Sequence, residues 1–145
     1  MHLMSKHVYF IMKKIFIYFL VLFTFSCSLD SDYEETFAEI VPVESVIMPT
    51  EFVLNEVYEI SLTYLRPTTC HAFNDIYFVS ESNERTVAVI TTVFTSNYPC
   101  EDLYTELEAS FNFKPINTGS YIFNFWQGED DNGEDQYLII EVPVI

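Results

Sequence analysis

Apolar and polar residues alternate with a period of two along most of the chain after residue 42. In "TELEASFNF" (105–113), for example, every second residue is apolar and the residues between them are polar or acidic. Side chains of a β-strand point alternately to its two faces, so this pattern predicts a strand with one face buried. The same reasoning predicts seven strands, at 43–48, 56–65, 73–81, 86–95, 105–113, 120–127 and 136–144.

Turn-forming sequences separate these runs, and no long amphipathic helical pattern lies between them. "ESNER" between the third and fourth strands has the composition of a short hairpin loop, and "GEDDNGEDQ" (128–136) that of a longer one. Strands at this spacing are typical of an antiparallel β-sandwich. We therefore expect one all-β sandwich domain over residues 42–145.

The segment "NTGSYIF" (117–123) resembles the tyrosine corner of immunoglobulin-like domains, in which a tyrosine opens the sixth strand. The resemblance implies an immunoglobulin-like sandwich. In that arrangement the hydroxyl of Tyr121 returns to the backbone of the preceding loop, and Phe123 faces the core.

The first 26 residues have a different character, because they hold three of the six basic residues and none of the 22 acids. "MKKIFIYFLVLFTFS" (12–26) has the layout of a secretory signal: two lysines, an apolar run and a small residue. The apolar run, 15–25, is too short to cross a bilayer, which needs about 20 residues. We expect residues 1–26 to be a signal peptide, with translation starting at Met12.

Cys27 follows this signal directly, and "CSLDSDYEE" continues into an acidic run. The arrangement resembles bacterial lipoproteins of the Bacteroidetes surface type, although Thr24 and Phe25 depart from the usual residues before the cysteine. The resemblance implies cleavage before Cys27, acylation of Cys27 and attachment to the outer membrane, with possible exposure at the cell surface. Residues 27–41 would then be the lipidated cysteine and a flexible acidic tether. The alternative is an ordinary secreted protein.

The cysteine count supports the lipoprotein interpretation, since three cysteines leave one unpaired in an oxidising compartment. With Cys27 acylated, Cys70 and Cys100 form an even pair. If the third and fourth strands form a hairpin that turns near Asn83, these two residues meet at its open end. We therefore predict a Cys70–Cys100 disulfide; the alternative is two separate thiols.

Charge narrows the choice of partners. After residue 26 the chain has three basic residues and 22 acids, so nucleic acid and anionic lipid head groups would be repelled. Cationic partners and divalent ions are compatible with this charge, and no cofactor is expected.

Candidate chemistry is sparse. His71 is adjacent to Cys70, but neighbouring residues of an extended segment point in opposite directions, so we interpret His71 as a loop residue rather than half of a catalytic dyad. Zinc would need three or four clustered ligands, which the sequence does not offer. We therefore expect a protein that is not an enzyme.

The acidic loop 128–136 is a candidate calcium site, because calcium prefers carboxylate and carbonyl oxygens. The candidate ligands are Asp130, Asp131 and Asp135, although the loop does not fit the EF-hand register. The alternative is a solvated hairpin tip.

Trp126 is a candidate binding platform for a protein or a glycan. Alternation places Tyr121, Phe123 and Phe125 on one face of their strand and Trp126 on the other. If Phe123 faces the core, Trp126 faces outward; the alternative is that Trp126 itself packs in the core.

These observations lead us to expect a lipid-anchored protein of the bacterial envelope whose non-catalytic sandwich acts as an interaction module. An accessory structural subunit of an outer-membrane assembly and a small envelope enzyme are the alternatives.

Overall fold

The computed structural model describes residues 35–95 and 99–145, which form eight strands in two sheets and no helix. In chain order the strands are β1 (Thr36–Val41), β2 (Val43–Ile47), β3 (Tyr58–Thr68), β4 (His71–Glu81), β5 (Glu84–Phe94), β6 (Asp102–Phe113), β7 (Gly119–Glu129) and β8 (Asp135–Val144).

The larger sheet has five strands arranged around β5. One edge of β5 pairs along its length with β4, whereas β1 and β7 divide the other edge between them. β1 pairs with residues 89–94 of β5, and β7 pairs with residues 84–87. β8 then pairs with β7. Two strands therefore meet end to end beside the middle of β5.

The smaller sheet has the order β2-β3-β6, and the two sheets enclose a common apolar core. Every second residue along the strands of both sheets faces this core, because each strand buries only one face. Its buried members are Val41, Val43, Phe52, Ile60, Leu62, Tyr64, Val87, Val89, Phe113, Tyr121, Phe123, Phe125 and Val142. Phe52, from the connection between β2 and β3, packs against Phe113 with 5.2 Å between ring centroids.

The predicted β-sandwich is confirmed, and each of the seven predicted strands corresponds to one of β2 to β8. One pairing departs from the antiparallel pattern, since β5 and β7 are parallel. β7 follows β6 of the other sheet rather than a hairpin from β5, and a crossover of this kind permits parallel neighbours. The immunoglobulin-like subtype stays a prediction.

Residues 36–41 correct the predicted domain boundary. We assigned them to a flexible tether, but they form β1, whose six residues pair with β5 from Phe94 to Val89. The acid-rich stretch before it concealed the strand, and β1 itself buries only Val41 and leaves its other side chains exposed. Residues 27–34 of the predicted tether, and the predicted signal peptide, lie outside the described residues.

Pro42 lies where the chain passes from one sheet to the other, between β1 and β2. Proline has no N–H to donate to a sheet, so it suits such a break. The backbone of Gly128 lies against it: a Cβ on Gly128 would be 3.6 Å from Cγ of Pro42, and Gly128 has a φ of +106°. Gly128 is also where β7 shifts register against β8, so β7 turns away from β5 beside the end of β1.

Candidate functional site: an aromatic groove on the outer sheet face

Four side chains form a row across the outer face of the five-stranded sheet. Tyr77 on β4 is opposite Ala88 on β5, and Trp126 on β7 is opposite Tyr137 on β8. Val87 and Phe125 are the last pair of the parallel β5–β7 ladder. Ala88 and Trp126 follow them directly, so these two residues lie side by side on neighbouring strands. A small residue therefore lies between large aromatic ones, which makes the sheet surface concave at Ala88.

The division of the β5 edge deepens this concavity. The pairing of β7 with β5 ends at Val87, and that of β1 begins at Val89, so Ala88 lies at the junction of the two strands. Ala88 is only 3% exposed although it is on the outer face. Its methyl group is thus the floor of a groove between β1 and β7.

The resulting cavity has a volume of about 540 Å³, within the range of small-ligand sites. We call it the aromatic groove and define it by the residues that line it: Ala38, Glu39, Ile40, Tyr77, Thr86, Ala88, Trp126, Glu129, Asp135 and Tyr137. Residues from five different strands, together with the acidic loop after β7, therefore converge on one surface.

Asp135 fixes the orientation of two of the rings. The indole Nε1 of Trp126 donates a hydrogen bond to Oδ1 of Asp135 at 2.7 Å, and the Tyr137 hydroxyl donates to Oδ2 at 3.4 Å. Burial, followed by the negative charge of Asp135 and this hydrogen bond, raises the pKa of Tyr137 above its ordinary value of 10.0. Tyr77 is close enough to raise that pKa further. The Tyr137 hydroxyl is therefore neutral at physiological pH and keeps the proton that it donates to Asp135.

Trp126 faces outward, as alternation predicted for the case in which Phe123 is buried. Phe123 and Phe125 are fully buried, whereas Trp126 is half-buried and lines the groove. The alternative, that Trp126 packs in the core, is not what the structure shows.

The groove is acidic. The carboxylates of Glu129 and Asp135 line it, and no lysine, arginine or histidine is among its lining residues. Glu39 also borders the groove, but its side chain has the inward orientation of Val41 and turns away to His71. The described part of the chain has three lysine and arginine residues. One of them, Arg85, is on the same strand as Ala88, but it points to the opposite face of β5 and is only 6% exposed. The negative charges of the groove are therefore not neutralised by the residues that form it.

Glu39 also links the groove to a buried histidine. Nε2 of His71 is 3.1 Å from Oε2 of Glu39, and Nδ1 of His71 is 2.8 Å from the hydroxyl of Thr68. Our interpretation of His71 as a loop residue was wrong: it is the first residue of β4 and only 7% exposed. Its ring fastens β1 to β4 across the end of the sheet.

The predicted disulfide is confirmed. Cys70 and Cys100 are bonded, with a distance of 5.5 Å between their Cα atoms. Cys70 lies between β3 and β4, and Cys100 between β5 and β6, so the bond joins two connections that both pass between the sheets. The β4–β5 hairpin turns at Ser82 and Asn83, as the prediction required. Cys70 consequently has no thiolate.

The tyrosine-corner contacts are present at Tyr121. Its buried hydroxyl accepts hydrogen bonds from the backbone N–H groups of Ile116 and Asn117, each at 3.0 Å. The guanidinium of Arg85 lies over the same ring, 4.8 Å from its centroid. This cluster supports the sandwich end and is separate from the groove.

The calcium candidates do not converge on one point. Oδ1 of Asp130 accepts hydrogen bonds from the backbone N–H groups of Asn132 and Glu134, at 2.8 and 3.0 Å, whereas Asp135 turns to Trp126. Within residues 35–95 and 99–145, no group of three or more histidine, cysteine or acidic side chains could hold a metal ion. Asp130 instead stabilises the turn of its own loop. In the described residues, Asp131 neither belongs to a metal-binding group nor accepts such hydrogen bonds from the loop.

Sequence reasoning missed Tyr77, Tyr137 and Glu39. Alternation could have predicted that the side chains of the two tyrosines face outward, since each tyrosine is next to an inward-facing apolar residue. Their proximity to Trp126 depends on strand order, which alternation does not contain. Cys27, the predicted lipidation site, lies outside the described residues, and in those residues no helix is long and apolar enough to span a membrane.

Comparison with known proteins adds no relative: no protein-family model, curated protein or solved structure matches this chain. The groove is therefore interpreted from its own geometry and charge.

Proposed function

We propose that this protein is a lipid-anchored component of the bacterial cell envelope whose non-catalytic sandwich binds a ligand in the aromatic groove. The observation that carries the binding part is the groove itself: a concave, preformed surface with three aromatic side chains and the carboxylates of Glu129 and Asp135. Ligand sites combine an apolar body with a few polar groups that fix orientation, and this groove has both.

The groove is also preorganised. Asp135 holds Trp126 and Tyr137 by hydrogen bonds, and Ala88 belongs to the central strand of the sheet. Less conformational entropy is lost on binding when the contact residues are already in place. Rigid support of this kind favours recognition over a purely structural role for the exposed rings.

The side chains best suited to nucleophilic chemistry are engaged elsewhere in the described structure. Cys70 is oxidised, and His71 is held between Thr68 and Glu39. These contacts support a binding module rather than an enzyme.

The anchor part of the proposal rests on Cys27 and the signal-like segment before it. Since β1 begins at Thr36, the segment 28–35 separates the proposed acylated residue from the sandwich. A chain of this length spans at most about 30 Å. The sandwich would therefore begin at most about 30 Å from the acylated residue, whereas a tether of residues 27–41 would allow a larger distance.

Two measurements test the proposal separately. Mass spectrometry of the protein purified from membranes should find an N-terminus at Cys27 that carries acyl chains; an unmodified thiol at residue 27 would overturn the anchor. For the groove, Trp126 is the single tryptophan of the chain, so its intrinsic fluorescence reports directly on ligand binding.

Envelope glycans, peptides and proteins should be titrated while this fluorescence is recorded, with Ala88→Leu as the comparison variant. Leucine at this position fills the floor of the groove without removing any of its aromatic or acidic groups. A ligand of the groove should shift the emission of the wild type and bind Ala88→Leu at least tenfold more weakly. If every ligand bound both proteins equally, the groove would not be the binding site.

A further inference from the structure

We infer that the aromatic groove recognises a lysine or arginine side chain carried on an extended, basic polypeptide segment. This inference rests on the proposed binding function and specifies the class of its ligand. It follows from the combination of ring faces, uncompensated carboxylates and groove length.

The rings supply the first part of the argument. A cation over the face of tryptophan or tyrosine is attracted by the electron-rich ring, within about 6 Å of its centroid. Tyr77, Trp126 and Tyr137 all line the cavity. Among the described residues, none of these three rings is stacked against another aromatic ring. Tyr77 and Tyr137 are 41% and 38% exposed, so both are accessible to a ligand.

Charge supplies the second part. Glu129 and Asp135 lie at one end of the groove, and the lining contains no basic residue. The carboxylate of Glu39 takes no part, because it is paired with His71 on the inner side of the sheet. Glu129 makes no side-chain hydrogen bond within the described residues. A positive side chain would therefore meet carboxylates whose charge the groove does not balance, beside rings that favour the same charge. A neutral sugar would use the rings but gain nothing from this charge.

The dimensions of the groove favour a polypeptide over a free amine. The row from Tyr77 to Tyr137 crosses four neighbouring strands, which places its ends about 14 Å apart. Four residues of extended chain cover that distance. A segment lying along the row could place one basic side chain between Tyr77 and Trp126 above Ala88, and another near Asp135.

The test uses peptides of four to six residues that contain two lysines, with Trp126 fluorescence and calorimetry as readouts on the full protein. The same peptides with acetylated lysines keep the length and the apolar stem but remove the charge. We expect the lysine and arginine peptides to bind, acetylation to weaken binding at least tenfold, and affinity to fall as salt concentration rises.

Two charge variants separate recognition in the groove from general attraction to an acidic protein. Glu129→Gln removes a groove carboxylate with little change of shape and should weaken the lysine peptide about three- to tenfold. Glu108→Gln removes an exposed carboxylate of β6 in the other sheet, and binding should be unchanged. Ala88→Leu should abolish the fluorescence response while the circular dichroism spectrum stays that of the wild type.

The possible results lead to different conclusions. Equal effects of Glu129→Gln and Glu108→Gln would mean non-specific attraction and overturn the inference. Binding of a neutral glycan that Ala88→Leu abolishes, without binding of basic peptides, would overturn the inference but keep the proposed function. If neither glycans, proteins nor basic peptides changed the Trp126 emission of the wild type, both would be wrong.

Discussion

Replacing Cys70 and Cys100 together by alanine should destabilise the sandwich strongly, because it removes a covalent link between two connections. The disulfide spans a sequence separation of 30 residues and joins the connection that leads into β4 to the one that leaves β5. It thereby closes a loop that contains the whole β4–β5 hairpin. Breaking it frees that loop in the unfolded chain, where the gain in conformational entropy favours unfolding.

The chain-entropy model gives the magnitude. For a closed loop of about 30 residues, the entropy released is about 12 cal/mol/K, or about 3.6 kcal/mol at 25 °C. Alanine at position 70 adds little, because the side chain it replaces is small. For a domain of about 100 residues, each kcal/mol corresponds to about 4–8 °C, so Tm should fall by about 14–29 °C.

Urea unfolding of the wild type and the double variant, followed by circular dichroism, measures the difference in the free energy of unfolding. Glu108→Gln is the control, since it changes one exposed side chain of β6 and should leave the stability of the sandwich unchanged. Reduction of the wild type should reproduce the effect of the double variant. A loss below about 1 kcal/mol would show that the loop is already constrained in the unfolded chain, and would refute the entropic reasoning.

Three further predictions concern single side chains. Tyr121→Phe leaves two backbone N–H groups without their acceptor. The free energy of unfolding measured in urea should therefore fall by about 1–3 kcal/mol. A change under about 0.5 kcal/mol would contradict a stabilising role for the Tyr121 hydroxyl. Glu39→Gln weakens the contact with His71. Because Glu39 is half-exposed, the free energy of unfolding should fall by less than about 1 kcal/mol, but backbone hydrogen exchange in β1 should become faster. Unchanged exchange in β1 would show that the contact does not hold this strand. Backbone hydrogen bonds, first that from residue 134, lower the pKa of Asp130 below its ordinary 3.8. Its stabilisation of the loop is therefore present above that value and is lost as pH falls through the lower folded pKa. NMR titration should place the pKa of Asp130 below 3.8, and a value at or above 3.8 would contradict the role of these hydrogen bonds.

The strands were predictable because each satisfies a local rule. In β3, Ile60, Leu62 and Tyr64 are buried while the residues between them are partly exposed, so the pattern of burial is already written in the order of the residues. β1 was missed because only its last residue, Val41, is buried; the strand is defined by hydrogen bonds to β5, to which the composition of residues 36–41 gives no clue.

The site was predictable only in part. The orientation of Trp126 followed from the burial of Phe123, because alternate residues of one strand must face opposite ways. The groove around it did not follow, since Tyr77 is separated from Trp126 by 49 positions in the chain and becomes its neighbour through the order of β4, β5 and β7. In the acidic loop the sequence predicted a site that the structure does not form. Its oxygens suggested calcium, but the carboxylates of Asp130 and Asp135 accept hydrogen bonds from backbone and indole N–H groups instead.

From the order of the residues alone one can predict that the chain forms strands, which face of most strands is buried, where the turns lie, and that Cys70 and Cys100 pair. These properties depend on neighbours along the chain, or on one hairpin that is nearly local. That β1 and β7 share one edge of β5, and that Ala88 therefore lies among aromatic and acidic side chains, depends on how the whole sheet assembles. The reason is physical: strand order is selected by the packing and hydrogen bonding of the whole sheet, whereas alternation records only the two faces of each strand.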